Sequence, residues 1–141
     1  CDIISCVAPI GIFFGRIANF INGELFGKAS VLPWAVIFPN GGIIGRHPSQ
    51  IYEAILEGFI LLIIINFLAL KKNLLIKSGK ISGLFLVLYS IFRIFSENFR
   101  EPDQHLGYIF KYFSMGSLLS ILTLTVGFFI LFFRKKNEKH N

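Results

Sequence analysis

Charge is scarce in this sequence of 141 residues, since only 16% of them are Asp, Glu, Lys or Arg, against about 25% in an average soluble domain. Hydrophobic residues make up 54%, and Phe alone occurs 17 times. A disordered chain is excluded, because disorder needs much charge and few aromatic residues. A soluble globular domain is disfavoured as well, because the apolar residues come in long runs rather than in short amphipathic segments. The bulk of the chain is therefore predicted to lie in a lipid bilayer.

Cysteine is also rare, and the two cysteines do not indicate a disulfide framework or a metal site. Cys1 and Cys6 lie close together in an apolar segment, without the partners that a disulfide framework or a zinc site requires. No metal and no other cofactor is therefore expected. A first residue that is Cys fits the mature end of a lipoprotein. The missing initiating Met favours a second interpretation, in which the chain is part of a longer protein.

The net charge of +6 does not indicate nucleic-acid binding. The cations fall into two short groups, and no basic stripe carries interleaved aromatic residues on a polar face. The groups are Lys71, Lys72, Lys77 and Lys80 in one stretch and Arg134, Lys135, Lys136 and Lys139 near the end. Such an excess of Lys and Arg is typical of the cytoplasmic loops that orient membrane helices. Membrane lipid, and not nucleic acid, is the expected partner.

Four apolar runs are long enough, or nearly so, to cross a membrane as helices. About 20 residues at a rise of about 1.5 Å each cover a hydrocarbon core of about 30 Å. The predicted spans are residues 3–21, 51–70, 81–99 and 112–133. The fold class is therefore predicted to be all-α, a polytopic bundle of about four transmembrane helices that forms a single membrane-embedded domain over residues 1–141.

The basic groups also predict how the helices are oriented. The loop 71–80 and the tail 134–141 should both be cytoplasmic, and the two spans between them allow this. The segment 22–50 then forms an outer loop. Its Trp34 and its prolines indicate packing at the membrane interface.

Two arginines lie inside the predicted spans at matching depth. Arg16 lies five residues before Ile21 and Arg93 six residues before Phe99, which places both about 8–9 Å below the outer boundary. A charge at mid-bilayer costs about 2.5–3.5 kcal/mol, and less near the edge. Each arginine could snorkel to the headgroups or form a structural ion pair, as Arg93 could with Glu97. Taken together, the two guanidinium groups favour an outward-opening pocket for a phospholipid headgroup, because they bind phosphate in a bidentate fork.

Other residues support a polar pocket at that level. Asn19 follows Arg16 on the same helix face, and Tyr89 precedes Arg93 by one turn. Glu24 comes where the first helix ends, near glycines such as Gly27 that permit close approach of the backbone to a ligand. His47 in the outer loop is a candidate general base, because imidazole titrates near neutrality. A hydrogen-bonded loop histidine is the plainer interpretation.

Four stretches in chain order carry a resemblance to a known family. They are residues 15–27 (GRIANFINGELFG), residues 46–53 (RHPSQIYE) with 56–58 (LEG), residues 89–93 (YSIFR) with Glu97 and 100–103 (REPD), and residues 114–116 (SMG) with 119–120 (LS). Together they resemble the prolipoprotein diacylglyceryl transferases. The resemblance covers nearly the whole chain and identifies it as the C-terminal part, with the first helices of the family missing. A family His-Gly-Gly segment is among the missing parts.

The resemblance implies an enzyme of bacterial lipoprotein maturation. Such an enzyme transfers the diacylglyceryl group of phosphatidylglycerol to the lipobox cysteine thiol of a prolipoprotein, and glycerol phosphate leaves. Its partners are phosphatidylglycerol and the signal peptide that carries the lipobox. It is a multi-pass protein of the bacterial inner membrane whose active site faces the periplasmic, or outer, side. The fragment alone is expected to be weakly active or inactive.

The resemblance also implies roles for single residues. Arg16 would bind the phospholipid headgroup, with Asn19 orienting it and Gly27 at the same site. Arg93 would stabilise the leaving phosphate.

The remaining implied roles belong to residues around these two arginines. Glu24 and Glu97 would fix them in place, and Tyr89 would line the site. His47 is the base candidate within this chain.

Two other interpretations remain open at the level of sequence. In a transporter or channel fragment, Arg16 and Arg93 would line an anion path, although such a path needs polar groups across the whole membrane. In a non-catalytic remnant of the transferase, the chain would have lost activity with its missing segments.

Overall fold

A computed structural model describes residues 1–71, 74–76, 78–101, 108–109 and 113–138, and these residues form a helical bundle. The helical elements are α1 (Asp2–Asn22), α2 (Ser49–Glu53), a π-helical segment (Ala54–Ile60), α3 (Leu61–Lys71), α4 (Lys80–Glu97) and α5 (Met115–Glu138), with short 3-10 turns at Pro39–Gly41 and Leu74–Ile76. Two strands of two residues each, β1 (Tyr108–Ile109) and β2 (Phe113–Ser114), pair antiparallel. The prediction of an all-α membrane bundle is confirmed.

Three helices are long and apolar enough to cross a membrane, within the part of the chain that the structure describes. They are Asp2–Asn22, the continuous helix Ser49–Lys71 and Met115–Phe133. Helix α4 has 18 residues and carries Lys80, Arg93 and Glu97, so it is shorter and more charged. The division into four spans stays a prediction. Residues 72–73, 77, 112 and 139–141 of the predicted loop, last span and tail lie outside the described residues.

Helix α1 ends where glycine permits a reversal of the chain. Gly23 adopts φ 68°, a left-handed conformation that glycine reaches without a Cβ penalty, and its N–H bonds to the carbonyls of Asn19 and Phe20. The next helix begins directly after Pro48, whose missing N–H is no loss at a helix start. Gln50 is fully buried there and donates from Nε2 to the carbonyl of Glu24 at 2.6 Å. The segment 22–50, named the outer segment after its predicted position, is thereby tied to the end of α1 and to the start of α2.

At the opposite end of the bundle, Asp2 joins α1 to α4. Its carboxylate accepts hydrogen bonds from the backbone N–H of Gly79 at 2.6 Å and from that of Ser82 at 2.8 Å. The Ser82 hydroxyl adds a third bond at 2.7 Å. The first N–H groups of a helix have no partner within the helix, and a carboxylate satisfies them. Asp2 therefore caps the neighbouring helix.

The core of the bundle is apolar and lies between α1, α3 and α4. Its buried members are Cys6, Leu61, Ile65, Ala69 and Ile81. Asn66 is the polar residue beside this core, and its side-chain amide donates to the carbonyl of Cys6 at 3.0 Å and to that of Leu62 at 2.9 Å. A polar side chain inside a membrane bundle is stable when its hydrogen bonds are made in this way.

Candidate active site

A pair of buried glutamates lies at the centre of the site. Glu53 ends α2 and Glu57 lies one turn later in the π-helical segment, and both are completely buried. Single π-helical turns inside α-helices are frequent at functional sites. Gly58 makes the close packing possible, because a Cβ there would lie 2.6 Å from Cβ of Phe13 on α1. The two carboxylates are thus held against the helix that carries Arg16.

Both predicted arginines converge on this pair. Arg16 reaches Glu53 with Nε at 3.1 Å and Glu57 with Nη2 at 3.3 Å. Arg93 reaches Glu53 with Nη1 at 2.9 Å and Glu57 with the same nitrogen at 3.5 Å. Two guanidinium groups from separate helices therefore share the same two carboxylates, so their positions are coupled.

Two further ion pairs complete the cluster. Glu97 binds Nη2 of Arg93 with Oε2 at 3.2 Å, one turn along α4. Nη1 of Arg100 lies 3.9 Å from Oε1 of Glu53. We call the set of Arg16, Arg93, Arg100, Glu53, Glu57 and Glu97 the outer charge cluster, where outer denotes the end of the bundle at which α1 ends. Its three cations balance its three carboxylates, as buried charges require.

Arg16 also lines an open cleft beside the cluster. The cleft has a volume of about 240 Å³ and is lined by Ile12, Gly15, Arg16, Asn19 and Tyr89. The Arg16 side chain is 17% exposed. A guanidinium carries five N–H donors, and Nη1 of Arg16 has no acceptor among the described residues. The cleft therefore presents a cation with free donors, beside an amide and a phenol.

Glu24 does not take the place that the resemblance implied for it. Its side chain is exposed and pairs with neither arginine within the described part of the chain. The chain reverses at Gly23, which carries Glu24 past the end of α1 and away from Arg16, eight residues earlier. The expected contact between Glu24 and an arginine is therefore wrong, and Glu53 and Glu57 fix the arginines instead. Glu97 does contact Arg93 as expected.

Gly27 lies at a junction of three backbone segments and outside the lining of the arginine cleft. Its N–H donates to the carbonyl of His47 at 2.9 Å, and it forms a bridge with Arg100. A Cβ at this position would lie 2.5 Å from the His47 carbonyl and 2.6 Å from that of Phe99. Close backbone approach is thus the reason for glycine here, and its contact with a headgroup stays a prediction.

His47 lines a second, aromatic cleft. This cleft has a volume of about 360 Å³ and is lined by Leu32, Trp34, His47, Tyr52, Ile55, Leu56, Phe95 and Phe99. Trp34 donates from Nε1 to the Tyr52 hydroxyl at 2.8 Å, and that hydroxyl lies 3.3 Å from Nδ1 of His47. Because the indole can only donate, the Tyr52 O–H is free to donate to His47. His47 is therefore a hydrogen-bonded histidine beside the cluster, in a different cleft from Arg16.

The outer segment is held by a second arginine centre. Arg46 pairs with Glu101, donates from Nε to the carbonyl of Gly41 at 3.0 Å, and lies over the ring of Phe26 at 4.8 Å. Its backbone N–H bonds to the carbonyl of Val36 at 2.9 Å. Arg46 therefore organises the loop, and its guanidinium is occupied by these contacts.

Glu53 and Glu57 were not predicted to be site residues. Both were visible as acidic residues in the first turns of an apolar span. Their spacing of four places them on one helix face, and a buried carboxylate needs a cation. Counting acidic against basic residues within the spans would have paired them with Arg16 and Arg93.

The fold and the cluster together define a class: a helical membrane protein with a buried arginine–glutamate cluster that opens into a cleft near one end of the bundle. A family model described as prolipoprotein diacylglyceryl transferase matches residues 1–133. The chain belongs to this family.

Curated relatives are similar over nearly the whole chain. The phosphatidylglycerol–prolipoprotein diacylglyceryl transferase of Allorhizobium ampelinum is 54% identical over 127 residues, which cover 89% of this chain and 44% of that protein. The same-named protein of Rickettsia bellii is 51% identical over 130 residues, which cover 92% and 49%. That of Zymomonas mobilis is 47% identical over 137 residues, which cover 97% and 48%. The chain spans about half the length of the curated relatives it matches.

Proposed function

We propose that this chain contributes the arginine cleft of an enzyme that transfers the diacylglyceryl group of phosphatidylglycerol to the lipobox cysteine of a prolipoprotein. The named activity of the curated relatives supports the reaction. The observation that carries the proposal is the convergence of Arg16 and Arg93 on Glu53 and Glu57 beside an open cleft. Such an enzyme would act in the first step of lipoprotein maturation.

The reaction exchanges one bond for another at a carbon of the lipid. The cysteine thiol loses its proton, and the thiolate attacks the glyceryl carbon that carries the phosphate. A new C–S bond forms while the C–O bond to phosphate breaks, and glycerol phosphate leaves with the electron pair. Negative charge therefore grows on the departing phosphate. Cations held in place before the reaction stabilise that charge most effectively.

The two arginines would have different roles in this reaction, because their side chains differ in exposure. Arg16 faces the cleft and keeps donors free, so it binds the headgroup phosphate, with Asn19 orienting the headgroup and Tyr89 lining the cleft. Arg93 is more deeply buried and stabilises the leaving phosphate, and Glu97 holds its guanidinium.

His47 is the proposed acceptor of the thiol proton. Its Nδ1 lies 3.3 Å from the Tyr52 hydroxyl, a contact that fixes the orientation of the imidazole ring. His47→Ala should therefore slow transfer more than Tyr52→Phe, because the tyrosine would only orient the base.

Location and partners follow from the same reaction. The chain would lie in the inner membrane of a bacterium as a multi-pass protein, with the cleft facing the periplasmic side. It would take phosphatidylglycerol from the bilayer and the lipobox segment of a signal peptide as the second substrate.

A transfer assay tests the proposal directly. Membranes would receive phosphatidylglycerol labelled in its diacylglyceryl part and a lipobox peptide, and labelled peptide would be measured. Two forms are compared. One is the chain alone, and the other, called the joined form, is the chain fused to the part of the Zymomonas mobilis relative that it does not cover. We expect clear transfer by the joined form, weak or no transfer by the chain alone, and loss of transfer in Arg16→Ala and Arg93→Ala.

A matched control separates the cleft from general positive charge. Lys28 is an exposed cation of the outer segment that lies outside the cleft, so Lys28→Ala should leave transfer unchanged. Unchanged transfer in both arginine variants would falsify the headgroup assignment. Anion flux into liposomes without transfer would favour a channel, although the core below the cluster is apolar at Leu61, Ile65 and Ile81. No transfer by the joined form would indicate a non-catalytic remnant.

A further inference from the structure

Glu97 connects the outer charge cluster to the start of helix α5. One carboxylate oxygen, Oε2, faces Arg93 at 3.2 Å. The other, Oε1, accepts a hydrogen bond from the Ser114 hydroxyl at 2.8 Å. Ser114 directly precedes α5, which begins at Met115. The carboxylate that holds Arg93 is therefore itself held by a neighbouring helix.

Gly116, in the first turn of α5, packs directly against this carboxylate, so a Cβ at residue 116 would overlap with it. A Cβ at that position would lie 2.7 Å from Oε1, 2.9 Å from Cδ and 2.9 Å from Oε2 of Glu97. All three distances are shorter than real Cβ contacts allow. A side chain at residue 116 would therefore have to displace the Glu97 carboxylate or the helix start.

The start of α5 also suits a negative charge. The backbone N–H of Ser117 donates to the Ser114 hydroxyl oxygen at 3.2 Å, the usual bond between a helix-capping serine and the third helical residue. The helix N-terminus carries partial positive charge from its unpaired N–H groups. Glu97 thus meets a hydroxyl donor, a positive helix end and a guanidinium together.

We propose that Ser114 and Gly116 are positioning residues that set the place of Glu97 and, through it, of Arg93. The inference rests on the proposed function, because the arginine is the group they serve. Neither residue needs to touch substrate. Their effect should appear in the rate of the chemical step rather than in lipid binding, because Arg16 and not Arg93 lines the open cleft.

Gly116→Ala in the joined form tests this proposal, with Gly127→Ala as the matched control. A Cβ at Gly127 would be similarly crowded, 2.9 Å from Cγ2 of Val87 and 3.1 Å from the carbonyl of Gly83, and it lies in the same α4–α5 interface three turns further on. Both changes should lower the melting temperature. We expect Gly116→Ala to lower kcat about tenfold or more with little change in KM, and Gly127→Ala to leave kcat unchanged.

Ser114 provides a conservative rescue. Ser114→Ala removes the hydroxyl that holds Oε1 and should lower kcat several-fold. Ser114→Thr keeps the hydroxyl and should retain most of the rate, since Thr also caps helices. An equal loss in the two Ser114 variants would contradict a hydroxyl contact with Glu97.

A second arm combines these changes with Glu97→Ala. Without the carboxylate there is nothing for a methyl at residue 116 to displace, so Gly116→Ala should lower neither kcat nor the melting temperature further. Equal losses with and without Glu97 would overturn the proposal. The melting temperatures decide this contact even if no form transfers lipid, and the absence of transfer from every form, wild type included, would count against the proposed function instead.

Discussion

The two ends of the helical bundle satisfy their carboxylates in opposite ways. At the end where α1 begins, Asp2 accepts three hydrogen bonds from neutral donors of Gly79 and Ser82. At the other end, Glu53 and Glu57 are completely buried and face guanidinium groups from more than one element. The first arrangement fixes a helix start, and the second gathers cations from separate helices around a buried pair of anions.

The difference supports the proposal that a ligand binds at the outer charge cluster and not at the Asp2 end. Backbone N–H groups and a serine hydroxyl have one hydrogen each, and Asp2 uses them all. An arginine has five N–H donors, so a guanidinium that binds two carboxylates still has donors for an incoming phosphate. The contacts of Asp2 therefore only hold two helices together. The outer charge cluster also holds helices together, and in addition it opens into a cleft.

The largest effect is expected for Arg93→Ala in the joined form. Its loss leaves Glu53, Glu57 and Glu97 without their shared cation and removes the group proposed to stabilise the leaving phosphate. Removing one such preorganised donor typically lowers kcat by about 10²–10³. The measurement is kcat for transfer of labelled lipid to the peptide. Arg93→Lys keeps a charge without the fork and should retain part of the rate, and a fully active Arg93→Ala would contradict the comparison.

A large effect on stability is expected for Glu53→Ala. The change leaves Arg16 and Arg93 facing each other with less compensation, and breaking a buried ion pair on one side costs about 3–5 kcal/mol. The free energy of unfolding in detergent micelles provides the measurement. Glu24→Ala is the control, because that side chain is exposed and should change stability by less than about 0.5 kcal/mol. Equal effects of the two changes on stability would contradict the central position of Glu53 in the cluster.

A smaller effect is expected for Asp2→Ala at the other end. Losing a capping side chain costs about 0.5–2 kcal/mol of stability, and transfer by the folded protein should not change. Asp2→Asn should recover only part of the stability, because its single amide oxygen can keep the bonds from Ser82 while its NH2 group would face the N–H of Gly79. The unfolding free energy and kcat are measured on the same preparations. A loss of kcat in Asp2→Ala would show that the two ends are not independent.

The smallest effect is expected for Gly15→Ala. A Cβ at Gly15 meets nothing within 4 Å, and this residue lines the arginine cleft. An added methyl should narrow the cleft and raise KM for phosphatidylglycerol by up to about fivefold, which corresponds to about 1 kcal/mol of lost binding. Gly11 is equally open, lies one turn earlier on α1 and is not among the residues that line the cleft, so Gly11→Ala should leave KM unchanged. An equal rise in both variants would argue against lipid binding in this cleft.

Much of the fold could be predicted from the sequence, because long apolar runs leave few alternatives in a membrane. The bounds of α1 and of the helix Ser49–Lys71 lie within two residues of the predicted spans. The juxtaposition of Arg16 and Arg93 followed from their equal depth. That argument used only the helical rise and the ability of guanidinium groups to bind phosphate.

The partners of the arginines could not be predicted in the same way. The resemblance implied that Glu24 holds an arginine, but the left-handed turn at Gly23 carries Glu24 past the end of α1 and away from Arg16. The correct partners, Glu53 and Glu57, lie 37 and 41 residues away and meet Arg16 through the close packing at Gly58. Depth can be read from a sequence, whereas the rotation of one helix against another depends on such packing contacts.

The most direct test of the account measures whether Arg16 and Arg93 act as one unit. Binding of phosphatidylglycerol over phosphatidylcholine would be measured in nanodiscs for wild type, Arg16→Gln, Arg93→Gln and the double variant of the joined form. Arg16→Gln should weaken binding directly. Arg93→Gln should weaken it indirectly, because Arg16 is then left to compensate the shared carboxylates of Glu53 and Glu57. The two losses should therefore be coupled by more than about 0.5 kcal/mol, with the double variant binding better than the two single losses would predict together. Losses that add to within about 0.3 kcal/mol would contradict a shared site.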